Sequence, residues 1–527
     1  MATVDRDILT IVEPTIEVDE VFVEDEESEE AEQESSPENN NQTMSQQSYE
    51  GGVYPMVQIG SNKIMQEDLD DMELNLTGLI PTAKFTISDT SDKFTKEYPL
   101  DGVVVSLYLR PRPIEEYRPI RIDFDIQKIS STPPVPGTEE DEAQPPTYTF
   151  ICIMKIPLMH ADVIQGFEAG NSFDHLIECA EGLGLGFASN EDATDDSMPR
   201  IIAQQGRDEF IKQTTLSAYK DDESFFDTYI DLQYYLCFVN VNKQFSEDDE
   251  METVKGVSQI NTELQVNSEP DAEGGFDSSL RLSNGQDVAG SDMAISSFNL
   301  VNNSGDIWMS NGYSREIKYL NLNENNNDGD NGGLETFMIT PLNTPGAEEN
   351  KIPLRGRADE DTWQDNNKIK YLGKQSSEDF ENVHSNYMFA IANNLGNTDE
   401  INKMVLDVEL ETVNWSLYKY QRIPVIIYSE GEMNNKSLEN RDSQLGEDIQ
   451  PQAAKDEAGD ETKYDGPSQQ VKSEFLSGYY LISEIVYKYN KEDGKITQAL
   501  KLLRREWPIP AKNKDNEWEI IAGERRW

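Results

Sequence analysis

The chain of 527 residues has a mass of 59.7 kDa, more than one hydrophobic core usually supports, so about three or four folded modules are expected. Its 44 Lys and Arg against 101 Asp and Glu leave a net charge of −57, which argues against a surface that neutralises nucleic-acid phosphates. Hydrophobic residues make up 36%, enough for real cores, although polar stretches that bury no surface dilute the average.

Residues 1–52 are predicted to be an acidic, disordered arm. From Ile16 to Glu38 there are twelve acidic residues and no Lys or Arg, and a run of Asn, Gln and Ser follows. Self-repulsion and the lack of apolar surface keep such a segment solvated. Comparable stretches divide the rest of the chain into blocks; they cover residues 130–146, 246–275, 321–333 and 429–470.

Residues 53–170 are predicted to form a first small antiparallel β-barrel. Ile120, Ile122 and Phe124 alternate with polar residues, the period of a strand with one buried face. Residues 148–156 repeat this pattern, and residues 73–80, 84–88 and 102–110 are further strand candidates. Short strands without a helical pattern between them favour a barrel or a sandwich.

Residues 171–245 are predicted to form a helical module. Apolar residues from Phe173 to Leu183 fall at helical spacing, Ser172 can cap the start, and the glycines at 182, 184 and 186 can end the helix. These glycines also resemble a dinucleotide loop, but they follow a helix and lack the third glycine at the right offset. Further helices are expected over residues 208–219 and 225–236, before a short strand at 238–241.

An acidic linker at 246–290 leads to a second predicted β-barrel over residues 291–428. Its strands are expected at 293–300, 315–320, 404–410 and 420–428, and its single helix is expected to end at Gly396. After an acidic insert at 429–470, residues 471–527 form a C-terminal hairpin module, whose strands Gly478–Asn490 and Lys495–Arg505 flank a turn containing Gly494. The predicted fold class is therefore α+β and β-rich, with two small antiparallel barrels, a helical insertion and a closing hairpin.

No catalytic, cofactor-binding or metal-binding residues are predicted. The three histidines, His160, His175 and His384, lie in three different blocks, and no HExxH, GxSxG or GxxxxGK[ST] motif occurs. The acidic loop at 328–333 offers oxygen ligands, but a calcium loop counted from Asp328 needs Glu where Ile339 stands, so a polar loop is favoured. Carboxylate pairs of the glycosidase type stay open, because 101 acids guarantee many close pairs by chance.

The cysteines and the apolar runs indicate the compartment. Cys152, Cys179 and Cys237 are odd in number and form no CxxC pair, which predicts a reducing environment. No stretch approaches eighteen apolar residues and the first ten residues do not resemble a signal peptide, so neither a membrane span nor secretion by a signal peptide is expected.

A local excess of basic and aromatic residues near the end of the chain is a candidate interface with another subunit or partner. Its candidate residues are Arg504, Arg505 and Trp507, together with Arg422. The alternatives are a solvated strand end for the arginines and a satellite core for the tryptophan.

Several phrases of the sequence, taken in their order, resemble one known protein family. These phrases are SFDHL with GLGLGF at 172–187, SFFDTYID with YYLCFVNVNK at 224–243, NYMFA at 386–390, KMVL at 403–406, YQRIPV at 420–425, SGYYLI at 477–482 and LRREWP at 503–508. They are similar to the baseplate hub proteins of contractile-tailed bacteriophages, relatives of the late-control tail proteins and of the base of type VI secretion spikes.

This resemblance implies a structural virion protein of the tail baseplate, assembled in the host cytoplasm. It implies a homotrimer in which two barrels per subunit form a pseudo-sixfold ring between the hexameric tail tube and the trimeric central spike. Further partners would be baseplate wedge or other hub proteins and, transiently, the genomic DNA passing through the ring. The charge of −57 suggests a negative channel wall that repels phosphates, or else only solubility carried by flexible loops.

Two other functions stay open at this point. A hub could carry a cell-wall-degrading activity on one insert, although the inserts are acidic and poor in aromatic residues. An acidic decoy that mimics DNA would explain the charge, but it would not explain the alternating strand blocks.

Overall fold

The structure is a computed structural model. It describes residues 9–16, 55–64, 67–90, 94, 100, 102–109, 120–133, 145–245, 280–282, 294–303, 315–321, 334–339, 368–375, 384, 386–402, 404–415, 417–429, 471–472, 476, 478–504, 509–512 and 518–521. Several predicted features lie outside these ranges: most of the arm, the linker and the insert, the loop at 328–333, Arg505 and Trp507.

The first half of the fold is a curled antiparallel sheet. Alternating burial along its strands places one face on the core, as the period of two predicts. The strands of the first half are β2 (Met56–Ile59), β3 (Asn62–Ile64), β4 (Leu69–Asn75), β5 (Thr82–Ser88), β6 (Val104–Leu109), β7 (Ile120–Thr132) and β8 (Thr147–Met154). The strand that precedes them, β1 (Leu9–Val12), belongs instead to the sheet of the inserted module.

An inserted module of mixed α and β structure follows. Its elements are β9 (Val163–Gly170), α1 (Ser172–Leu183), β10 (Gly186–Ser189), β11 (Met198–Gln205), α2 (Arg207–Leu216), β12 (Phe226–Ile230), β13 (Tyr235–Asn240) and α3 (Val241–Phe245). Four strands form one sheet in the order β1-β10-β13-β12, and β9 pairs separately with β11.

Three predictions for the arm and the module need correction. The arm predicted as disordered contains β1, where Leu9 pairs with Ser189. The cap of α1 is Asn171, which accepts the Asp174 N–H at 2.8 Å, although Gly184 ends the helix in the left-handed conformation as expected. The helix predicted over 225–236 is a β-hairpin, because the Asp231 side chain accepts backbone N–H groups of the next residues and forms a tight turn.

The second half closes into a ring of strands. In chain order its elements, with those of three small separate sheets, are β14 (Leu280–Leu282), β15 (Ala294–Asn302), β16 (Arg315–Asn321), β17 (Leu334–Ile339), β18 (Lys368–Gln375), α4 (Tyr387–Ile401), β19 (Met404–Leu410), β20 (Arg422–Ile426), β21 (Tyr428–Ser429), β22 (Val471–Lys472), β23 (Gly478–Asn490), β24 (Lys495–Leu503), β25 (Ile509–Lys512) and β26 (Trp518–Ile521). Helix α4 runs through Gly396 instead of ending there, because Asn397 and Ile401 beyond it are buried.

Both halves belong to a single 13-stranded sheet. Its order is β20-β14-β15-β19-β24-β23-β4-β5-β8-β7-β6-β2-β3, and β20 also pairs with β23. The hairpin β23–β24, confirmed with its turn at 491–494, completes the second half and joins it to the first. The α+β, β-rich class is confirmed; all ladders of this sheet are antiparallel except the two formed by β14.

The two halves repeat one strand order. Read from one edge, the first half runs β4-β5-β8-β7-β6-β2 and the second runs β15-β19-β24-β23-β20-β14. β3 pairs with β2 at the far edge of the first half and has no counterpart in the described part of the second. Numbering the other six strands of each half along the chain gives the same sequence, 2-3-6-5-4-1, in both. The halves therefore share one strand order, and five of the six strands also share their direction. The first strand differs, because β14–β20 is parallel where β2–β6 is antiparallel, and only the second half closes through a β14–β15 pair.

Register irregularities fall at matching points in the two halves. The ladder of β7 with β8 shifts between Ile126 and Lys128, and that of β23 with β24 shifts between Ile482 and Glu484. The ladder of β4 with β5 shifts after Leu69, and that of β15 with β19 shifts after Ile295. Because bulges fix where a strand bends, shared bulges align the halves residue by residue.

Candidate functional site

The side of the large sheet that faces away from the main core is one continuous surface, called here the outer face. Directly paired residues point to the same side of a sheet, so each row of pairs crosses several strands. One row joins Asn299, Asp407, Lys501 and Glu484 in the second half. Another runs through Lys488, Glu73, Lys84, Ile151 and Lys128 and crosses from the second half into the first.

Charges on the outer face are close to balanced. On the eight strands from β7 to β15 in sheet order, seven carboxylates and six cations share this side. The carboxylates belong to Asp71, Glu73, Asp123, Asp125, Asp407, Glu409 and Glu484, and the cations to Lys84, Arg121, Lys128, Lys488, Lys495 and Lys501. The charge of −57 is therefore not concentrated on this surface, which does not support a strongly repelling wall.

The opposite charges also contact each other. Lys501 Nζ lies 2.9 Å from Glu484 Oε1, and Arg121 Nε lies 2.9 Å from Asp123 Oδ1. Burial raises the pKa of Asp407 against the lowering effect of Lys501, and Glu484 raises it further. A groove of about 480 Å³ lies over this row, with Phe298 of β15 on its border.

The inserted module covers one end of the outer face. Leu481, Leu503 and Val405 point outward there and are buried against module residues such as Phe225 and Val239 in a second apolar cluster. This apolar contact fixes the module on the second half.

Polar contacts hold the same junction. Asp227 of β12 accepts hydrogen bonds from Lys419 Nζ at 3.1 Å and from the Tyr420 hydroxyl. Tyr229 donates to Lys419 O at 3.0 Å, and burial raises its pKa and that of Tyr420 well above the ordinary value. Both phenols stay protonated and act as donors.

Helix α4 adds an amide contact to this junction that the sequence analysis did not single out. Asn394 is 3% exposed; its Oδ1 accepts from Phe226 N at 2.9 Å, and its Nδ2 donates to Leu216 O at 2.9 Å and Ala218 O at 3.1 Å. The one signal in the sequence was an asparagine on the apolar stripe of a predicted helix, where a polar residue must find partners.

The predicted interface residues that the structure describes, Arg422 and Arg504, lie at one end of β23. The Arg422 guanidinium lies 4.6 Å from the Tyr479 ring centroid, and that of Arg504 lies 5.6 Å from the Tyr480 centroid. Because Tyr479 and Tyr480 are neighbours on a strand, the two arginines occupy opposite faces of the sheet. They do not form one patch, and their role at an interface stays a prediction.

Chemistry-bearing side chains are sparse in the part of the chain that the structure describes. Within it, no group of three or more His, Cys, Asp or Glu side chains could hold a metal ion, and no helix is long and apolar enough to cross a bilayer. Burial raises the pKa of the Cys152 and Cys179 thiols to about 12, so neither is a thiolate near neutral pH.

Comparison with known proteins found similarity among solved structures. No family model and no curated protein matches the chain. A tail protein from Neisseria meningitidis MC58 is 8% identical with a TM-score of 0.43, over 86% of this chain and 97% of that one. The 43 kDa tail protein of prophage MuSo2 from Shewanella oneidensis is 9% identical with a TM-score of 0.45, over 86% and 98%. A chain of the Francisella PdpA–VgrG complex is 11% identical with a TM-score of 0.40, over 88% of this chain and 59% of that one.

Proposed function

We propose that this protein is a structural hub of a contractile phage tail baseplate, which joins the hexameric tail tube to the trimeric central spike. The observation that carries the proposal is the repeated strand order of the two halves. Two halves with the same strand order in one chain let three chains present six similar units to a sixfold partner and three identical units to a threefold partner. The sequence phrases between residues 172 and 508, which resemble baseplate hub proteins in content and order, support the same proposal.

In this proposal the outer face lines the channel through which the genome passes. Its paired and nearly balanced charges offer DNA phosphates neither a row of free cations to bind nor a strong barrier. The hub has no chemistry of its own, it acts in the virion after assembly in the host cytoplasm, and it contacts tube, spike and neighbouring baseplate proteins.

The mass and symmetry of the purified full chain test the proposal. Light scattering coupled to size exclusion, over a wide range of protein concentration and with the baseplate partners added, is expected to give three times 59.7 kDa for the hub component. Electron micrographs of the particle are expected to show a ring with six similar lobes around an open centre. A hexamer would identify a tube protein instead, and a chain that stays monomeric even with its partners would contradict the hub.

A further inference from the structure

The chain contains one junction between its halves, which we call the internal junction. There the last residues of β23, Val486–Asn490, pair antiparallel with Asp71–Asn75 of β4. Leu76 N donates to Ile485 O at 2.9 Å, which shows that Ile485 and Tyr487 direct their backbone groups toward β4. The junction buries Met72 and Tyr487 to 1% and 3% exposure.

The two edges that correspond to this junction lack a partner strand within the described part of the chain. β7 pairs with β6 only through Ile120–Asp125, so its last residues pair with β8 on one side alone. β15 pairs with β14 only at Ala294 and Ile295, so its remaining length pairs with β19 on one side alone.

The matching bulges show that these edges are the equivalents of β23 and β4. Aligning Ile126 with Ile482 places Ser131 at the position of Tyr487, and aligning Leu69 with Ile295 places Leu300 at the position of Leu74. Tyr487 and Leu74 pair directly in the internal junction.

Side chains on the unpaired edges are more exposed than their equivalents at the internal junction, as is expected of an interface whose partner is missing. Phe298 of β15 occupies the position of Met72, yet it is 36% exposed where Met72 is 1% exposed. Ser130, Ser131 and Thr132 of β7 are all exposed as well. An exposed strand edge with an exposed aromatic residue favours pairing with another strand.

We propose that β7 of one copy pairs antiparallel with β15 of the next copy and so repeats the internal junction between chains. This inference rests on the ring of the proposed function. By the alignment, Ser130 lies opposite Val301, Ser131 opposite Leu300 and Thr132 opposite Asn299. Pro133 lacks an N–H group, so the ladder ends there, opposite Phe298. Alternating internal and external junctions then make one continuous sheet around the ring.

A disulfide between chains tests the register. Ser130 and Val301 correspond to Val486 and Asn75, a non-hydrogen-bonded pair, whose Cα atoms lie about 4.5 Å apart, within disulfide reach. Ser130→Cys and Val301→Cys chains are made separately and mixed under oxidising conditions, so that any cross-link is between copies. We expect a covalent dimer that reducing agent dissolves; Cys152, Cys179 and Cys237 are buried and should not contribute.

A mixture of Ser130→Cys with Ser297→Cys is the matched control. Ser297 lies on the same edge but four residues from Val301, about 13 Å along the strand. This mixture is expected to give no covalent dimer. Equal cross-linking of both mixtures would overturn the register.

A second variant tests the hydrogen bonds of the edge. Because Tyr487 directs its N–H toward β4, the equivalent Ser131 N–H points to the free edge and not to β8. Ser131→Pro therefore removes one bond between copies and leaves the ladder with β8 intact, as proline on an edge strand does. We expect loss of the trimer with an unchanged circular dichroism spectrum, whereas Ser131→Ala keeps the trimer.

The outcomes separate this inference from the proposed function. A trimer that resists Ser131→Pro and does not form the Ser130–Val301 disulfide overturns the strand pairing and leaves the hub in place. A chain that forms no trimer under any of the conditions above overturns both.

Discussion

Single buried polar side chains hold the inserted module on the second half, and Asn394 makes the most contacts of this kind. Its side chain, almost fully buried, satisfies the N–H group at the start of β12 and two carbonyl groups at the end of α2 and just after it. Polar groups in such positions cost more when their partner is deleted than they contribute when paired.

Asn394→Ala is expected to lower the free energy of unfolding by about 3 kcal/mol, because it leaves the Phe226 N–H and two carbonyls without their partner. Urea titration followed by tryptophan fluorescence measures the change. Asn402→Ala, one residue beyond the end of α4, is the control, since its side-chain bond to Thr398 O is solvent-exposed, and it should change the value by less than about 0.5 kcal/mol. Similar losses for both variants would contradict the role of Asn394.

Buried histidines make stability depend on pH. Burial lowers the pKa of His175 below 6.5, and Arg200 lowers it further, while its hydrogen bond to Glu168 O and the charges of Asp196 and Glu178 act in the opposite direction. The pKa of His384 is lowered by burial as well. Since the unfolded chain then binds more protons, stability is complete above the unfolded value and is lost as pH falls below it.

As the pH falls below 6.5, the free energy of unfolding is expected to fall by up to about 1.4 kcal/mol per pH unit for each such histidine. His175→Gln, which cannot be protonated, should flatten this slope. Thermal melts at several pH values measure the difference, and an unchanged slope in His175→Gln would refute the assignment.

At the scale of the elements, β23 is the strand that joins the two halves. Its first residues pair with β20 and its last with β4, while β24 pairs along nearly its whole length. Tyr487 lies at this junction, buried and stacked on Trp415 with ring centroids 4.6 Å apart.

Tyr487→Ala is expected to destabilise the fold by about 3 kcal/mol or more, because it removes a buried aromatic side chain and leaves a cavity between the halves. Lys488→Ala, next to it on the opposite and exposed face, should cost less than about 0.5 kcal/mol. Chemical unfolding of the two variants is the comparison; equal effects would mean that the junction does not contribute to stability.

Whether a segment is a helix or a strand could be predicted wherever one spacing of apolar residues dominated the local sequence. The alternation in β7, the turn of the hairpin β23–β24 and the glycine end of α1 were all predictable, because each depends on neighbouring residues. The hairpin β12–β13 was not, since its apolar residues fall at helical spacing and only Asp231 marked the turn. Gly396 is tolerated inside α4 because tertiary packing overrides propensity.

The repeated strand order of the two halves could not be predicted from the sequence, because equivalent positions in the two halves carry different side chains. Ile151 corresponds to Lys501, and Ser131 corresponds to Tyr487. What the halves share is backbone pairing and bulge position, which depend on partners far away in the sequence. Two strand blocks could therefore be predicted, but their common topology and their fusion into one sheet could not.

For the whole molecule, the distribution of charge matters more than its sum. The described outer face carries nearly equal numbers of both signs, although the chain as a whole is strongly acidic. A channel lined by such a face would let DNA pass without retaining it.

Mobility-shift assays of the assembled particle with duplex DNA at low salt are expected to show no retained DNA. The triple variant Asp407→Asn, Glu409→Gln and Glu484→Gln leaves Lys501 without its acidic neighbours and should retain DNA in a salt-sensitive way. Retention by the unmodified protein would contradict the proposed passive channel.

The proposed non-enzymatic role predicts that purified protein leaves bacterial cell walls intact. In a zymogram with embedded peptidoglycan the chain should produce no cleared band, while a known muramidase on the same gel clears it. Clearing at the mass of this chain would establish the alternative function, a hub with cell-wall-degrading activity.

The fusion of the halves through β23 also sets the order in which the chain can finish folding. Lys491 Nζ reaches Asp70 Oδ1 at 3.3 Å, a contact between residues 421 positions apart. Contacts of such separation form slowly, and here they must wait until β23 and residue 491 have left the ribosome. Until then this side of strand β4 stays an open edge, so polypeptides that end before residue 478 expose it and are prone to aggregate.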